Sequence, residues 1–457
     1  MSVMMNRRRF FTGAAALATA QFPILGANDR VQLGIVGLGG RGRDHIGFYN
    51  ELDTDCRIVA VCDVNQTARE RAVALIQKAK GAQPKDYLDM REVFASKEVD
   101  AVSLPLPNHW HALAAIWACQ AGKDVYIEKP ASHNVWEGFQ MVAAARKYNR
   151  MVQVGSQSRT TAHKMKAVQL LRDGILGKVV EARGLCFRRR FSIGTTPSEP
   201  VPAGVDWDRF LGPAPMRPFA KNRYIYNWHW FWDTGNGDVG NQGVHEMDVA
   251  LWGLGKNEWP QATMSTGGKF TWVDDQETPN MLATTFEFAD AMMTFDVRNL
   301  PTPAEGGNVP RGVNYTGNIF FGDQGYMVLD PAGFQVYKSV VKLSGEQIRA
   351  AGAGAGGQDR FEKLMDEKSE ERVGWDTGPH MKNFLDAVKS RDYHKLNADI
   401  EIGVRAAIYC HFANIAYRTK RRLQLEKGAG LGFVSDSEAN ALLTRNYRAP
   451  YLVPEKV

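Results

Sequence analysis

The stretch Val31-Gln32-Leu33-Gly34-Ile35-Val36-Gly37-Leu38-Gly39-Gly40-Arg41-Gly42 decides the fold of this chain. Its first half is a short apolar run of strand character, and its second half is GxGxxG opening a helical pattern. The glycines serve a tight turn, a close approach of backbone to pyrophosphate, and close packing of helix on strand. A helix that starts at such a turn offers unpaired N–H groups and the positive end of its dipole to phosphate oxygens. Asp63 ends the next apolar run, about 20 residues beyond Gly42, as the dinucleotide fingerprint requires. A carboxylate there accepts hydrogen bonds from ribose hydroxyls and repels a 2′-phosphate. The expected cofactor is therefore NAD rather than NADP, with Arg41 close enough to soften the preference. Gly37, Gly39, Gly40, Arg41, Gly42 and Asp63 are the cofactor contacts read from this stretch.

Outward from it, short apolar runs alternate with helical periods. Strands are expected at Val31–Val36, Arg57–Cys62, Val99–Leu104, Asp124–Ile127 and Met151–Val154. Helices are expected at Arg43–Leu52, Gln66–Lys80, His109–Ala121 and Trp136–Tyr148. That alternation argues a parallel, doubly wound Rossmann sheet with right-handed crossovers over residues 28–158. Beyond it longer strand-like runs follow one another, at Lys178–Phe187, Thr263–Thr271, Asn280–Phe288, Ala291–Val297, Asn318–Phe321 and Tyr326–Leu329. They predict an α+β substrate and oligomerisation domain over 159–430, with a mostly antiparallel open sheet. Its helices are Pro379–Ser390 and a long one from after Asn397 to about Arg422. Ala350–Gly357 reads as a low-complexity loop, and residues 431–457 as a C-terminal tail with a Ser435/Glu438 capping box. The basic run Arg418–Arg422 suits a solvated helix end. In Arg188-Arg189-Arg190, alternation would put Arg188 and Arg190 on one strand face.

The 457 residues exceed one ordinary core, and 44% hydrophobic with 23% charged residues is a globular balance. No apolar run is long enough for a membrane-spanning helix. The net charge of +6 owes half its value to Arg7, Arg8 and Arg9, so a nucleic-acid partner is not indicated. Those arginines precede Phe10-Phe11 and a small-residue apolar run to Phe22, with Ala18-Thr19-Ala20 as a cleavage site. The segment over 1–27 reads as a twin-arginine signal peptide, and the protein as one folded in the cytoplasm and then exported by that route, to the periplasm or otherwise out of the cell. The five cysteines (Cys56, Cys62, Cys119, Cys186, Cys410) lack CxxC spacing, so neither a disulfide framework nor a metal site is expected.

Asp124-Val125-Tyr126-Ile127-Glu128-Lys129-Pro130 places Glu128 and Lys129 at the C-terminal end of a buried strand, the edge where open α/β sheets bind ligands. Together with Pro107-Asn108-His109-Trp110-His111 and the glycine turn, it resembles the Gfo/Idh/MocA family of nicotinamide-dependent oxidoreductases, from Val31 to about Leu425. The resemblance implies that Asn108 and His111 line the nicotinamide half of the cofactor site, that Glu128 lies near its ribose, and that Lys129 reaches the reacting hydroxyl or carbonyl. An ammonium there stabilises a developing alkoxide independently of any resemblance. Many members carry an Asp and a His one helical turn apart. Here Asn241 and His245 hold those places, and Asp248 can join them on one helix face. His245 is the candidate general base, with no carboxylate at 241 to raise its basicity. Val249 rules out HExxH, so no metal is expected.

Tyr226 and Trp228, within Tyr224–Asp233, suit stacking on a sugar ring, or form part of a core. Gln157 and Arg159 resemble family positions at the cleft between domains. The expected function is NAD-dependent oxidation of a sugar or glycoside hydroxyl with a tightly retained cofactor. One alternative is a redox-neutral, NAD-dependent glycosidase, and another is a carbohydrate-binding protein without turnover. By resemblance the open sheet face leads to a homo-oligomer.

Overall fold

The computed structural model describes residues 30–81, 83–300, 315–340, 361–369, 377–427 and 431–457. The signal-peptide reading over 1–27 and the loop at Ala350–Gly357 lie outside them.

The first unit is a six-stranded sheet in the order β3-β2-β1-β4-β5-β6. Its strands are β1 (Val31–Val36), β2 (Cys56–Cys62), β3 (Lys85–Tyr87), β4 (Ala101–Leu104), β5 (Asp124–Ile127) and β6 (Val152–Val154). Every ladder in it is parallel. β1, β4 and β5 are almost wholly buried, as a sheet covered on both faces demands. The helices are α1 (Gly40–Glu51), α2 (Gln66–Lys80), α3 (Met90–Ala95), α4 (Asn108–Gln120) and α5 (Val135–Lys147). α1 begins three residues before the expected Arg43, because glycines at the turn tolerate helical backbone and leave no apolar signal. β3 and α3 were absent from the sequence reading: Lys-Asp-Tyr is too short and polar to register as a strand, and six residues show no period.

The second unit holds α6 (Ala162–Arg172), β7 (Val179–Phe187), α7 (Trp207–Leu211), α8 (Gly237–Asn241), α9 (Gly243–Leu254), β8 (Ala262–Gly268), β9 (Met281–Glu287) and β10 (Met292–Arg298). β11 (Tyr315–Gly322), β12 (Gly325–Asp330), β13 (Gly333–Ser339) and β14 (Phe361–Lys368) follow, then α10 (Gly378–Ser390), α11 (Ile400–Thr419), β15 (Leu423–Gln424) and α12 (Ser437–Ala441). Its strands form a nine-stranded sheet in the order β14-β13-β12-β11-β7-β10-β9-β8-β15. The β7–β10 pair is parallel and the other ladders are antiparallel. α9 lies on β7 and β11, while α11 crosses α5, α9 and β8. α11 is buried around most of its circumference, as a helix wedged between two layers must be.

Two features depart from the expected plan. α10 falls in the sequence range assigned to the second domain, yet Met381, Phe384, Leu385 and Val388 sit in the same apolar cluster as β1 residues Val31, Leu33 and Ile35. The last short helix is capped by Asp436, whose carboxylate accepts the Ala439 N–H, so the cap lies one residue beyond the expected Ser435. The basic run ends the helix in solvent as expected, its exposed arginines forming surface pairs: Arg421 meets Asp436 and Glu438, and Arg422 meets Glu287.

Candidate functional site

At the first turn Gly37 has φ of 96°, a region that side chains disfavour. A Cβ there would lie 2.7 Å from the Pro105 carbonyl oxygen, and one on Gly42 would lie 2.0 Å from that of Gly37. These two glycines fold the turn. Gly39 and Gly40 differ, since a Cβ on either would meet nothing within 4 Å. α1 has Gly39 as its N-cap and no side-chain cap, which leaves its first N–H groups to a ligand in that open space. Asp63 accepts the Leu38 N–H at 2.6 Å and the Asn65 N–H at 2.8 Å, fixing the carboxylate at the end of β2. A shallow groove of about 520 Å³ opens beside it, lined by Val64, Arg69, Gly204 and Trp207. Open glycines, an uncapped helix start and a terminal carboxylate together fit a dinucleotide.

Glu128, at the end of β5, is the hub of a buried network. Its Oε1 accepts Arg41 Nε at 2.7 Å and lies 3.1 Å from His45 Nε2, while Oε2 accepts the Lys129 N–H at 3.1 Å. Burial alone would raise the Glu128 pKa, but the Arg41 cation and the His45 contact hold it well below the ordinary range. Arg41 also donates to Thr377 Oγ1 at 3.2 Å, so two of its guanidinium nitrogens are engaged with the protein. His111 is fully buried, its Nδ1 2.7 Å from the Pro130 carbonyl and its Nε2 2.8 Å from that of Leu106. It lies between two turns, and as a neutral ring it donates to one of these carbonyls at a time. Asn108 donates to Asn236 Oδ1 at 2.9 Å, which bolts the first unit to the start of α8.

Lys129 reaches across the units. Its Nζ donates to the Asn241 carbonyl at 2.7 Å. That carbonyl is available because the helix breaks between α8 and α9: the His245 N–H turns to Gln242 O at 3.1 Å instead of reaching back four residues. Burial lowers the Lys129 pKa, with Glu128 opposing. Burial, and then the Lys129 charge, lower that of His245 well below its usual value, leaving a neutral imidazole.

Asn241 sits between Lys129 and Tyr226. Its Nδ2 donates to Asp238 Oδ1 at 3.2 Å and approaches the Tyr226 hydroxyl at 3.4 Å. Asp238 is gripped by Arg190 through Nη2 at 2.7 Å and Nε at 3.0 Å. Arg190 Nη1 donates to the Tyr226 hydroxyl at 2.9 Å. The structure therefore gathers Lys129, Asn241 and Tyr226 in one place.

It disposes of the other candidates separately. Asp248 forms a buried two-pronged pair with Arg159, at 2.7 and 2.8 Å, which occupies both. Trp228 stacks on His229 at 3.6 Å and packs beside Trp207 and Phe210, so it is satellite core. Gln157 keeps a buried amide oxygen with no partner among the described residues.

Sequence reading missed Asp238, which shares a helix face with Asn241 at i, i+3 and was legible by the argument applied to His245. Arg190 lies beyond the end of β7, so its contact to α8 follows from loop geometry, not strand alternation. His45 carries no local signal. Glu246 was passed over because HExxH failed. It is buried, which pushes its pKa up to about 7, and its Oε1 accepts Gln242 Nε2 at 3.1 Å.

Two family models match the chain. "Oxidoreductase family, NAD-binding Rossmann fold" covers residues 31–156, and "Oxidoreductase family, C-terminal alpha/beta domain" covers 158–279. A Glycosyl hydrolase family 109 protein of Shewanella putrefaciens is 29% identical over 156 residues, 33% of this chain and 34% of that protein. An Alpha-N-acetylgalactosaminidase of Shewanella oneidensis is 27% identical over 154 residues, 33% of each chain. The chain thus spans about a third of the length of the curated relatives it matches. The WlbA dehydrogenase of Bordetella pertussis, solved with NADH and UDP-GlcNAcA, superposes with a TM-score of 0.61 and 18% identity, over 87% of this chain and 99% of that one. A levoglucosan dehydrogenase solved with NADH and levoglucosan gives 0.61 and 17%, again over 87% and 99%. At such identities the likeness is one of fold.

Proposed function

This chain belongs to the Gfo/Idh/MocA oxidoreductase family, and from that premise we propose that it oxidises a hydroxyl of a sugar or glycoside with NAD. The observation that carries the reading is Lys129. Its ammonium lies at the C-terminal end of the β5 strand, beyond the glycine turn, and among the described residues is held against the second unit by one carbonyl contact. Bound NAD supplies a two-electron acceptor for the carbon that bears the hydroxyl. Lys129, on exchanging the Asn241 carbonyl for the substrate oxygen, stabilises the developing alkoxide. We assign to His245, which burial keeps neutral, the role of base for the hydroxyl proton. Glu128 remains ionised and anchors the Lys129 backbone. NAD is favoured over NADP because Asp63 stands where a 2′-phosphate would meet a carboxylate.

The second reading is a redox-neutral glycosidase, favoured by the names of the curated relatives. Oxidation next to a C–H bond acidifies it, the glycosidic oxygen leaves by elimination, water adds, and the electrons return to the sugar. This cycle keeps its cofactor. Retention also suits the export we propose for the Arg7-Arg8-Arg9-Phe10-Phe11 segment, since twin-arginine export carries folded proteins. Assembly through the open face of the nine-stranded sheet belongs to the same proposal.

The test incubates the protein, without added nucleotide, with aryl and natural glycosides while aglycone release and bound-nicotinamide reduction are followed together. Reduction that halts after one turnover and restarts with a keto-sugar supports the dehydrogenase. Continuous aglycone release without net reduction supports the glycosidase. Loss of nucleotide on dialysis, with activity restored by added NAD, overturns the retained-cofactor reading.

A further inference from the structure

Tyr226 occupies an unusual place. It is half-exposed at 49%, and it and Ile225 both have positive φ, 66° and 31°. Two adjacent non-glycine residues in that region, one of them β-branched, are held there against local preference. The holding contacts are visible: the Asn227 N–H bonds to Ile225 O at 2.8 Å, the His229 N–H bonds to Tyr226 O at 3.2 Å, and the His229 ring packs on the Tyr226 ring at 4.8 Å.

The hydroxyl's surroundings are more informative. A phenol oxygen accepts two hydrogen bonds and donates one. Both side-chain neighbours of this oxygen are donors. Arg190 Nη1 has no acceptor capacity, and its Nε and Nη2 are committed to Asp238. Asn241 presents its NH₂ end, because the same nitrogen faces the Asp238 carboxylate, which only accepts. Among the described residues the one proton of Tyr226 therefore has no acceptor within hydrogen-bond reach, and the half-exposed side chain leaves it to a ligand. Asn241 also carries the carbonyl that Lys129 holds, so one residue touches both the phenol and the ammonium.

We propose that Tyr226 donates its hydroxyl proton as a hydrogen bond to an oxygen of the bound substrate, and that Asp238, Arg190 and Asn241 are the positioning residues that turn it outward. The inference rests on the sugar-site reading and adds to it the requirement for an acceptor oxygen beside the reacting hydroxyl. It also makes Asn241 more than a vacant carboxylate position. An aspartate there would accept the tyrosine proton, withdraw it from substrate, and face the Asp238 carboxylate.

The test compares wild type with Tyr226→Phe, Arg190→Met, the double variant and Asn241→Asp, all loaded with NAD, on a panel of 4-nitrophenyl glycosides. Each single variant is expected to lower kcat/KM about 10- to 100-fold, the range for a lost hydrogen bond to substrate. Nucleotide content should not change. The double variant should be no worse than Tyr226→Phe, because the two residues act in series. Multiplicative losses, or an Asn241→Asp protein as active as wild type, overturn the proposal. Should wild type turn over none of the glycosides, the sugar reading fails separately. The alignment is then read from the ¹⁹F resonance of 3-fluorotyrosine at position 226. Movement of that resonance on both Arg190→Met and Asn241→Asp supports the alignment, and its indifference to either overturns it.

Discussion

At the scale of single residues, the site is governed by which charges have protein partners. Glu128 is saturated by Arg41, His45 and the Lys129 N–H, whereas among the described residues the Lys129 ammonium depends on one backbone carbonyl. Lys129→Met should therefore leave the fold and bound nucleotide intact and lower kcat about 10³-fold or more, consistent with loss of electrostatic stabilisation at the reacting oxygen. Single-turnover reduction of bound NAD is the measurement. Asp63→Ser should raise the affinity for NADP relative to NAD about 10- to 100-fold, read by fluorescence titration with the reduced nucleotides. It should also lower the Tm, because Asp63 fixes the Leu38 and Asn65 amides. Much of this was legible beforehand. Asp63 and Lys129 announce themselves by their position after a strand. The engagement of Arg41, Asn108 and His111 with protein partners was not legible, because a side chain's partner can lie far along the chain, as Thr377 does from Arg41.

At the scale of elements, two turns position the chemistry. In the first, Gly42 and Gly39 look equivalent in sequence and differ in space. Gly42→Ala would force its methyl to 2.0 Å from the Gly37 carbonyl oxygen, so the helix must move. We expect a Tm loss of several degrees or failure to fold. Gly39→Ala meets nothing in the protein, so the Tm should hold while nucleotide affinity falls at least tenfold. Thermal melts with and without NAD separate the two. In the second, the break between α8 and α9 turns a helical carbonyl outward to Lys129. Sequence periodicity placed Asn241 and His245 on one continuous helix face, and the break at Gln242 shows why face arguments fail locally: Gly237, Gly240 and Gly243 permit a change of hydrogen-bond pattern that apolar spacing cannot register. Most of the longer elements were read within a few residues because their apolar patterns are long, whereas the helix α6 (Ala162–Arg172) was not read. β13 and β14 were not: β14, the edge strand, is polar and mostly exposed, and β13 buries only two large apolar side chains, Phe334 and Val336.

At the scale of the whole molecule, burial of histidine sets the response to pH. His45, His109, His111, His133, His229, His245, His380 and His411 are all held below their ordinary pKa, chiefly by burial. Their folded values lie under the unfolded value of about 6.5, so the stability they allow is complete above that pH and is lost as pH falls below it. His109, His229 and His411, each at about 3, would cost about 2 kcal/mol apiece by pH 5. Urea midpoints should be flat from pH 8 to 7 and fall steeply between pH 6 and 5. A flat profile through pH 5 would show these rings protonated without penalty. The two-unit plan itself was readable from alternating periods, but the placement of α10 was not, since an amphipathic helix does not say which sheet it covers. That placement has a consequence for biosynthesis. Met381, Phe384 and Leu385 close the core around β1, and Arg41 meets Thr377 across 336 residues. A nascent chain leaving the ribosome from its N-terminus can form the parallel sheet early, but must hold an apolar face uncovered until nearly all the rest has been translated. Chaperone demand should therefore be highest midway through translation, and a product cut short before residue 378 would carry a dinucleotide turn without the core that supports it.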